Sequence, residues 1–184
     1  MNLYRPFPIG LTLAALGLAG AILFSPLDGQ GQAPTAVGAG TCKKCHRTKS
    51  QGSQFPIWEA SAHARSVAGL KTEKALAIAK EAGLMGPPDA DPKCLKCHAP
   101  LAGQASPEIA AEGVGCEACH GAGSLYKKLT VMMSREKCVL NGLVLFPDAE
   151  AVKTSCLACH AHAHGVAFDF DAAWKLVRHD RPGK

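Results

Sequence analysis

The pattern of apolar and polar positions separates an N-terminal apolar run from a longer region of short segments. Residues 8–24 are uncharged and mostly apolar, and they follow a weakly positive start. The stretch 28–40 is rich in Gly, Gln and Ala and has no apolar periodicity. This order predicts an export signal peptide or an N-terminal membrane anchor over residues 1–27, and a flexible linker over residues 28–40.

Beyond the linker, the apolar pattern favours short helices. Residues 71–83 have apolar positions at helical spacing and end at a glycine, and residues 168–177 form a second amphipathic segment. A third helix is predicted from Ile57 towards Leu70. No segment alternates strongly enough between apolar and polar residues to predict a sheet. The predicted fold class is therefore mainly α, with short helices and loops and little or no sheet.

The composition indicates that something other than side chains fills the interior. Aromatic residues make up only 5% of the chain, whereas Gly and Pro number 19 and 12. Small domains that bury too little apolar surface use disulfides, metals or cofactors instead. Nine cysteines in 184 residues point to one of these solutions.

The N-terminus and the charge pattern indicate the cellular compartment and the kind of partner to expect. A signal peptide or an anchor would place the remaining chain in the periplasm or outside the cell, either free or tethered to the inner membrane. The net charge of +5 is spread along the chain without a block of like charge. No nucleic-acid partner is therefore predicted.

Four segments share the spacing Cys-x-x-Cys-His, which is the attachment signature of c-type haem. Two thiols bond the porphyrin as thioethers, and the following histidine binds the iron. The predicted attachment residues are Cys42, Cys45, Cys94, Cys97, Cys116, Cys119, Cys156 and Cys159, and the predicted proximal ligands are His46, His98, His120 and His160. We therefore expect four covalently attached haems c, stacked within a domain over residues 41–184.

Other uses of paired cysteines explain the pattern less well. A structural zinc site or a disulfide scaffold does not need a histidine after every pair. A thioredoxin-like site would have one such pair beside a βαβ pattern, which is absent. The ninth cysteine, Cys138, remains either a small buried apolar residue or a free thiol.

The remaining four histidines are candidates for the distal axial positions. His63 lies among alanines in a predicted helix, and His179 follows the amphipathic segment near the C-terminus. His162 and His164 follow the fourth motif too closely to reach its iron from the opposite face. They are candidates for another haem in this chain or in a neighbouring chain. Eight histidines for eight axial positions suggest bis-histidine ligation but do not prove it.

Residues 40–182 resemble the tetrahaem cytochrome c-554 family. The resemblance rests on Cys42-x-x-Cys-His, Trp58-x-x-Ser-x-His63-Ala, Cys94-Leu-x-Cys-His-Ala, Gly113-Val-Gly-Cys-Glu-Ala-Cys-His-Gly-Ala-Gly123, Cys156-x-x-Cys-His and Phe168-x-Phe with a late histidine. It implies haem planes stacked in close pairs, and it implies His63 and His179 as distal ligands.

One stretch departs from the family pattern. Family members carry a histidine shortly after the third motif that serves as a distal ligand, whereas residues 123–128 contain none. One haem must therefore take another partner, with His162 and His164 as candidates, or keep an open site.

The sequence favours an electron carrier over an enzyme. Such a carrier would pass electrons between redox protein partners by hopping from haem to haem. One alternative is an oxidoreductase acting on small nitrogen compounds at an open, five-coordinate haem. A further alternative is a homo-oligomer, as the subunit of a polymeric extracellular cytochrome filament in which a histidine of one chain binds a haem of the next.

Overall fold

The computed structural model describes residues 32–161 and 164–179. The predicted signal peptide or anchor over residues 1–27, residues 28–31 of the predicted linker, and His162 lie outside the described residues. From Ala33 onward the chain forms one compact unit.

Short helices joined by turns make up the described part of the chain. The α-helices are α1 (Ala39–His46), α2 (Gln54–Ala60), α3 (Ser66–Gly69), α4 (Glu73–Glu81), α5 (Pro92–His98), α6 (Pro107–Ala111), α7 (Cys116–His120), α8 (Leu129–Met132), α9 (Arg135–Leu140), α10 (Ala149–His160) and α11 (Phe170–Val177). Single 3₁₀ turns cover Lys49–Gln51, His63–Arg65 and Pro88–Ala90. Residues 32–161 and 164–179 contain no strand, which confirms the mainly α prediction. Within the same residues, every helix is too short or too polar to cross a bilayer.

Side-chain caps set where several of these helices begin. The N-cap residues Thr72, Asp91, Ser134, Asp148 and Asp169 each accept a backbone N–H from the first turn of α4, α5, α9, α10 and α11. Such caps satisfy donors that have no partner within the helix. The two segments predicted from apolar periodicity are confirmed as α4 and α11.

The helix predicted from Ile57 towards Leu70 is wrong as one continuous element. It consists of α2, the 3₁₀ turn at His63 and α3, because Ser61 takes an extended conformation with φ −77° and ψ 165°. The Ser61 backbone N–H and hydroxyl both donate to the Trp58 carbonyl, at 2.9 and 2.7 Å. Local side-chain bonding of this kind competes with helix continuation.

Few apolar side chains in the described part of the chain are buried, and three of them are alanines. The buried apolar residues are Ala39, Phe55, Leu70, Ala79, Ala99, Tyr126 and Cys138. The Cys138 thiol lies 3.4 Å from the Val131 carbonyl oxygen and 3.8 Å from the Met132 sulfur. This environment supports Cys138 as a small buried apolar residue.

Part of the predicted linker contacts the folded unit. The Thr35 N–H donates to the Ser124 hydroxyl at 2.8 Å, and the Ser124 N–H donates to the Thr35 carbonyl at 3.1 Å. α1 then begins at Ala39. Ordered contacts therefore begin before residue 41, while the boundary between the signal or anchor and the linker stays a prediction.

Candidate haem centre

Each of the four motifs lies at the C-terminal end of a helix. α1, α5, α7 and α10 end at His46, His98, His120 and His160 respectively. Residues three apart are neighbours on a helix surface, so both cysteines of a motif face the same direction. All eight motif cysteines are at least partly accessible, whereas Cys138 is buried. The thiols are therefore placed to react with one porphyrin edge per helix.

The first and third motifs meet through their first cysteines. The Cys42 and Cys116 thiols hydrogen-bond each other, which lowers the pKa of Cys42 and raises that of Cys116. α1 and α7 are in contact as elements. The two haem attachment points therefore lie side by side.

Two further thiol interactions involve the remaining motifs. Burial, followed by a hydrogen bond with Cys97, raises the pKa of the Cys159 thiol to about 11. Burial, followed by the electrostatic effect of Cys156, raises the pKa of the Cys119 thiol. The second and fourth motifs are therefore adjacent at Cys97 and Cys159, and the third and fourth motifs interact electrostatically.

Three pairs of histidine rings lie close together. The ring centroids of His63 and His160 are 6.1 Å apart, and those of His98 and His164 are 6.3 Å apart. The centroids of the third pair are 5.9 Å apart and belong to His120 and His179. Each pair joins a motif histidine to a histidine that the sequence predicts as a distal candidate.

The separation of these rings fits an iron between them. An imidazole nitrogen binds a first-row metal at about 2 Å and lies about 1 Å from its ring centroid, so two imidazoles on opposite faces have centroids about 6 Å apart. The three measured separations lie between 5.9 and 6.3 Å. The residues present therefore fit haem iron with an imidazole on each face.

Three of these histidines have Nδ1 within hydrogen-bond distance of a backbone carbonyl. The His98 Nδ1 lies 3.1 Å from the Ser66 carbonyl oxygen, and the His120 Nδ1 lies 3.3 Å from that of Val144. The His179 Nδ1 is 3.0 Å from the Val177 carbonyl oxygen. A carbonyl only accepts, so each Nδ1 carries the proton and leaves Nε2 as a lone-pair donor for a metal.

Burial keeps several of these imidazoles in the neutral form that a metal requires. Desolvation is the main cause that lowers the pKa of His63, His120 and His160, and neighbouring histidines lower it further. A cationic imidazole has no free lone pair for a metal, so these shifts favour ligation.

His164 holds its position in a strained backbone. Its φ is +52°, in the left-handed region that non-glycine residues seldom adopt. Such conformations persist where the surrounding structure requires them, often at functional sites.

His46 is the motif histidine whose distal partner is not identified in the described part of the chain. Burial is the main cause that lowers the pKa of His120, and His179 and His46 add smaller electrostatic effects. His162, the remaining histidine of the sequence, lies outside the described residues.

Ser66 links two of the histidine sites, and the sequence alone did not single it out. Its hydroxyl lies 2.6 Å from the His98 carbonyl oxygen and 2.9 Å from that of His63. The same hydroxyl accepts the Val114 N–H at 3.1 Å, and the Trp58 indole N–H donates to the Val114 carbonyl at 2.8 Å. This network connects Trp58 and the Gly113-Val-Gly stretch to the two histidine sites.

Phe168 stacks on a motif histidine. Its ring lies 4.3 Å from the His160 ring, with an interplanar angle of 16°. The contact restricts rotation of the imidazole and shields it from solvent. It gives the first phenylalanine of the Phe168-x-Phe segment a structural role.

Comparisons with known proteins agree with this site. Residues 41–121 match the family model described as cytochrome c554 and c-prime. Cytochrome c-554 of Nitrosomonas europaea (strain ATCC 19718 / CIP 103999 / KCTC 2705 / NBRC 14298) is 33% identical over 125 residues, covering 62% of this chain and 51% of that protein. The chain thus spans about half the length of this curated relative. No solved structure matches the chain significantly. Residues 41–121 are therefore similar to the cytochrome c-554 family, whose c-type cytochromes bind haem covalently.

Proposed function

We propose that this protein is an exported four-haem c-type cytochrome that carries electrons between redox proteins of a respiratory chain. The observation that carries the proposal is the set of three opposed histidine pairs. Iron with an imidazole on each face has no vacant position for a substrate. Such a haem changes little in geometry when it takes or loses one electron, which suits a carrier rather than a catalyst.

The pairs suggest an axial ligand assignment. His160 and His63 would hold the haem of the fourth motif, His98 and His164 that of the second, and His120 and His179 that of the third. His46 would be the proximal ligand of the first haem, and His162 remains the candidate for its distal position. Each haem would also be bound by the two cysteines of its motif.

The thiol contacts suggest the order of electron transfer. Hydrogen-bonded thiols join the first motif to the third and the second motif to the fourth, and an electrostatic interaction between Cys119 and Cys156 links the third motif to the fourth. Since each thiol would be bonded to a porphyrin edge, contact between thiols implies close haem edges. We propose that electrons hop along the series first, third, fourth, second, with donor and acceptor proteins docking near its two ends.

The location proposed from the N-terminus agrees with the family, which is typically periplasmic. We propose a periplasmic or extracellular site, with residues 1–27 acting as a cleaved signal or as an inner-membrane anchor. The partners would be redox proteins and not nucleic acid.

The test combines haem counting with spectroscopy on the matured protein. Intact-mass analysis should show four added haems per chain. Electron paramagnetic resonance of the oxidised protein should show at least three low-spin ferric haems, and the reduced protein should bind carbon monoxide at no more than one haem. Fewer than four haems, or two or more high-spin haems, would contradict the proposal.

One alternative function concerns the haem of the first motif. In the described residues no histidine ring is seen opposite His46. If that haem binds carbon monoxide, an open iron exists and oxidoreductase chemistry on small nitrogen compounds becomes the next activity to assay. If it is low-spin in the oligomer and high-spin in the monomer, a histidine from a second chain completes it, as in a filament.

A further inference from the structure

A buried carboxylate inside the third motif makes hydrogen bonds that haem attachment does not require. Glu117 follows the first cysteine of that motif, and only 4% of its surface is exposed. The Val37 N–H lies 2.9 and 3.0 Å from the two carboxylate oxygens, and the Gly38 N–H donates to Oε2 at 2.8 Å. The Gly123 N–H donates to Oε1 at 2.6 Å.

These contacts suit the anionic form of the side chain. Both oxygens accept from N–H groups, and a protonated carboxyl would place its own O–H against one of these donors. Backbone N–H groups of Val37, Gly38 and Gly123 stabilise its negative charge, in a site from which water is largely excluded.

The charge lies between the attachment points of two haems. Glu117 acts electrostatically on the Cys42 thiol, which in turn hydrogen-bonds Cys116. A second carboxylate, Glu112, accepts the Ala39 N–H at 2.7 Å and acts on both thiols. Two carboxylates are therefore grouped where the first and third motifs meet.

We infer that the negative charge of Glu117, assisted by Glu112, lowers the reduction potential of the haems on the first and third motifs. Each haem iron takes one electron from the reductant and passes from Fe³⁺ to Fe²⁺, losing one unit of positive charge. A nearby buried anion stabilises the more positive ferric state, and the interaction is strong where little water screens it. Net charge, hydrogen bonding and burial are among the means by which a protein sets haem potentials.

This inference rests on the proposed four-haem assignment and adds a direction to it. Electrons move from lower to higher potential. The pair on the first and third motifs would therefore donate to the pair on the fourth and second motifs. Glu117 would act on the haems through its charge, because it contacts neither iron nor substrate.

Potentiometric titration of the haem absorbance tests the inference. Glu117→Gln removes the charge, and Glu117→Asp keeps the charge on a shorter side chain. Both disturb the hydrogen bonds to residues 37, 38 and 123, so both are expected to lower stability. Glu108→Gln, on the exposed side of α6, serves as the matched control. Haem content by mass and spin state are measured for every variant.

We expect Glu117→Gln to raise two of the four midpoint potentials, while Glu117→Asp and Glu108→Gln leave all four close to those of the parent protein. Unchanged midpoints in a fully loaded, low-spin Glu117→Gln protein would overturn the inference, as would an equal rise in Glu117→Asp. If Glu117→Gln does not fold, Glu112→Gln replaces it, with a smaller rise expected in the same two midpoints and no rise overturning the inference. A parent protein with fewer than four haems would contradict the proposed function. The midpoint potentials of the variants would then be compared for the haems that are present.

Discussion

The imidazole rings of His63 and His160 have centroids 6.1 Å apart, although one follows α2 and the other ends α10. Burial lowers the pKa of both rings and favours their neutral form. Phe168 stacks on His160, and the Ser66 hydroxyl lies within hydrogen-bond distance of the His63 carbonyl. The His160 ring and the His63 backbone are thus held by contacts that do not depend on the metal.

Substitution of His63 by alanine should open one face of the fourth haem. Iron that loses an axial imidazole becomes five-coordinate and high-spin in the absence of a replacement ligand. The cysteine attachments and the contacts of Glu117 and Glu112 should persist, so we expect the variant to retain four haems. Electron paramagnetic resonance should show one new high-spin signal, and carbon monoxide should bind one more haem per chain than in the parent.

The control for this experiment is a second alanine on the same segment. Arg65→Ala removes a side chain that donates to the Ala60 carbonyl but does not face a motif histidine. Its spectra should equal those of the parent. A His63→Ala protein that remains entirely low-spin and inert to carbon monoxide would show that His63 is not an axial ligand.

The C-terminus should be required for the third haem. His179 lies opposite His120, with ring centroids 5.9 Å apart, and its Nδ1 is held by the Val177 carbonyl. A chain that ends at Arg178 should therefore acquire a high-spin haem, as His179→Ala should. A chain that ends at His179 is the matched control and should stay low-spin. Identical spectra for the two truncations would rule out His179 as a ligand.

Local patterns made part of this fold predictable from the sequence. α4 and α11 follow from apolar periodicity. These signals depend only on residues within a few positions of one another. The break at Ser61 was not predictable in the same way, because its hydroxyl competes with the helix for the Trp58 carbonyl.

The arrangement of the site was less predictable because it depends on contacts between distant segments. His164 could be named as a candidate for a haem other than that of the fourth motif, but only the folded chain places it opposite His98. Ser66 carries no chemistry that sequence patterns identify, yet it contacts both His63 and His98. The roles of such residues come from packing, which one sequence does not encode in local spacing.

Gly113 should not tolerate a side chain. A Cβ there would overlap the Ser66 hydroxyl oxygen and lie 2.9 Å from the His63 carbonyl oxygen, and the backbone φ is +78°. Overpacking at such a contact costs about 1–3 kcal/mol, in addition to about 1–2 kcal/mol for a left-handed alanine. Gly113→Ala should therefore lower the unfolding free energy and perturb the spectra of the second and fourth haems.

Gly103→Ala provides the matched control for this contact. Its φ is +81°, but a Cβ there would meet nothing within 4 Å. Only the conformational cost should remain, so guanidinium unfolding should give a smaller loss of free energy and unchanged haem spectra. Equal losses for the two variants would show that the contact of residue 113 with Ser66 and His63 is unimportant.

The thiol count should distinguish attached from free cysteines. If the eight motif cysteines are thioethers, the single remaining thiol per chain is Cys138, which is 2% exposed. Alkylation with iodoacetamide should be slow in the folded protein, because burial limits access to the thiol. In denaturant, mass analysis should show one added label per chain, and Cys138→Ser should show none. Rapid labelling of the folded protein would contradict the buried position of Cys138, and two or more labels in denaturant would mean that at least one motif lacks a thioether bond.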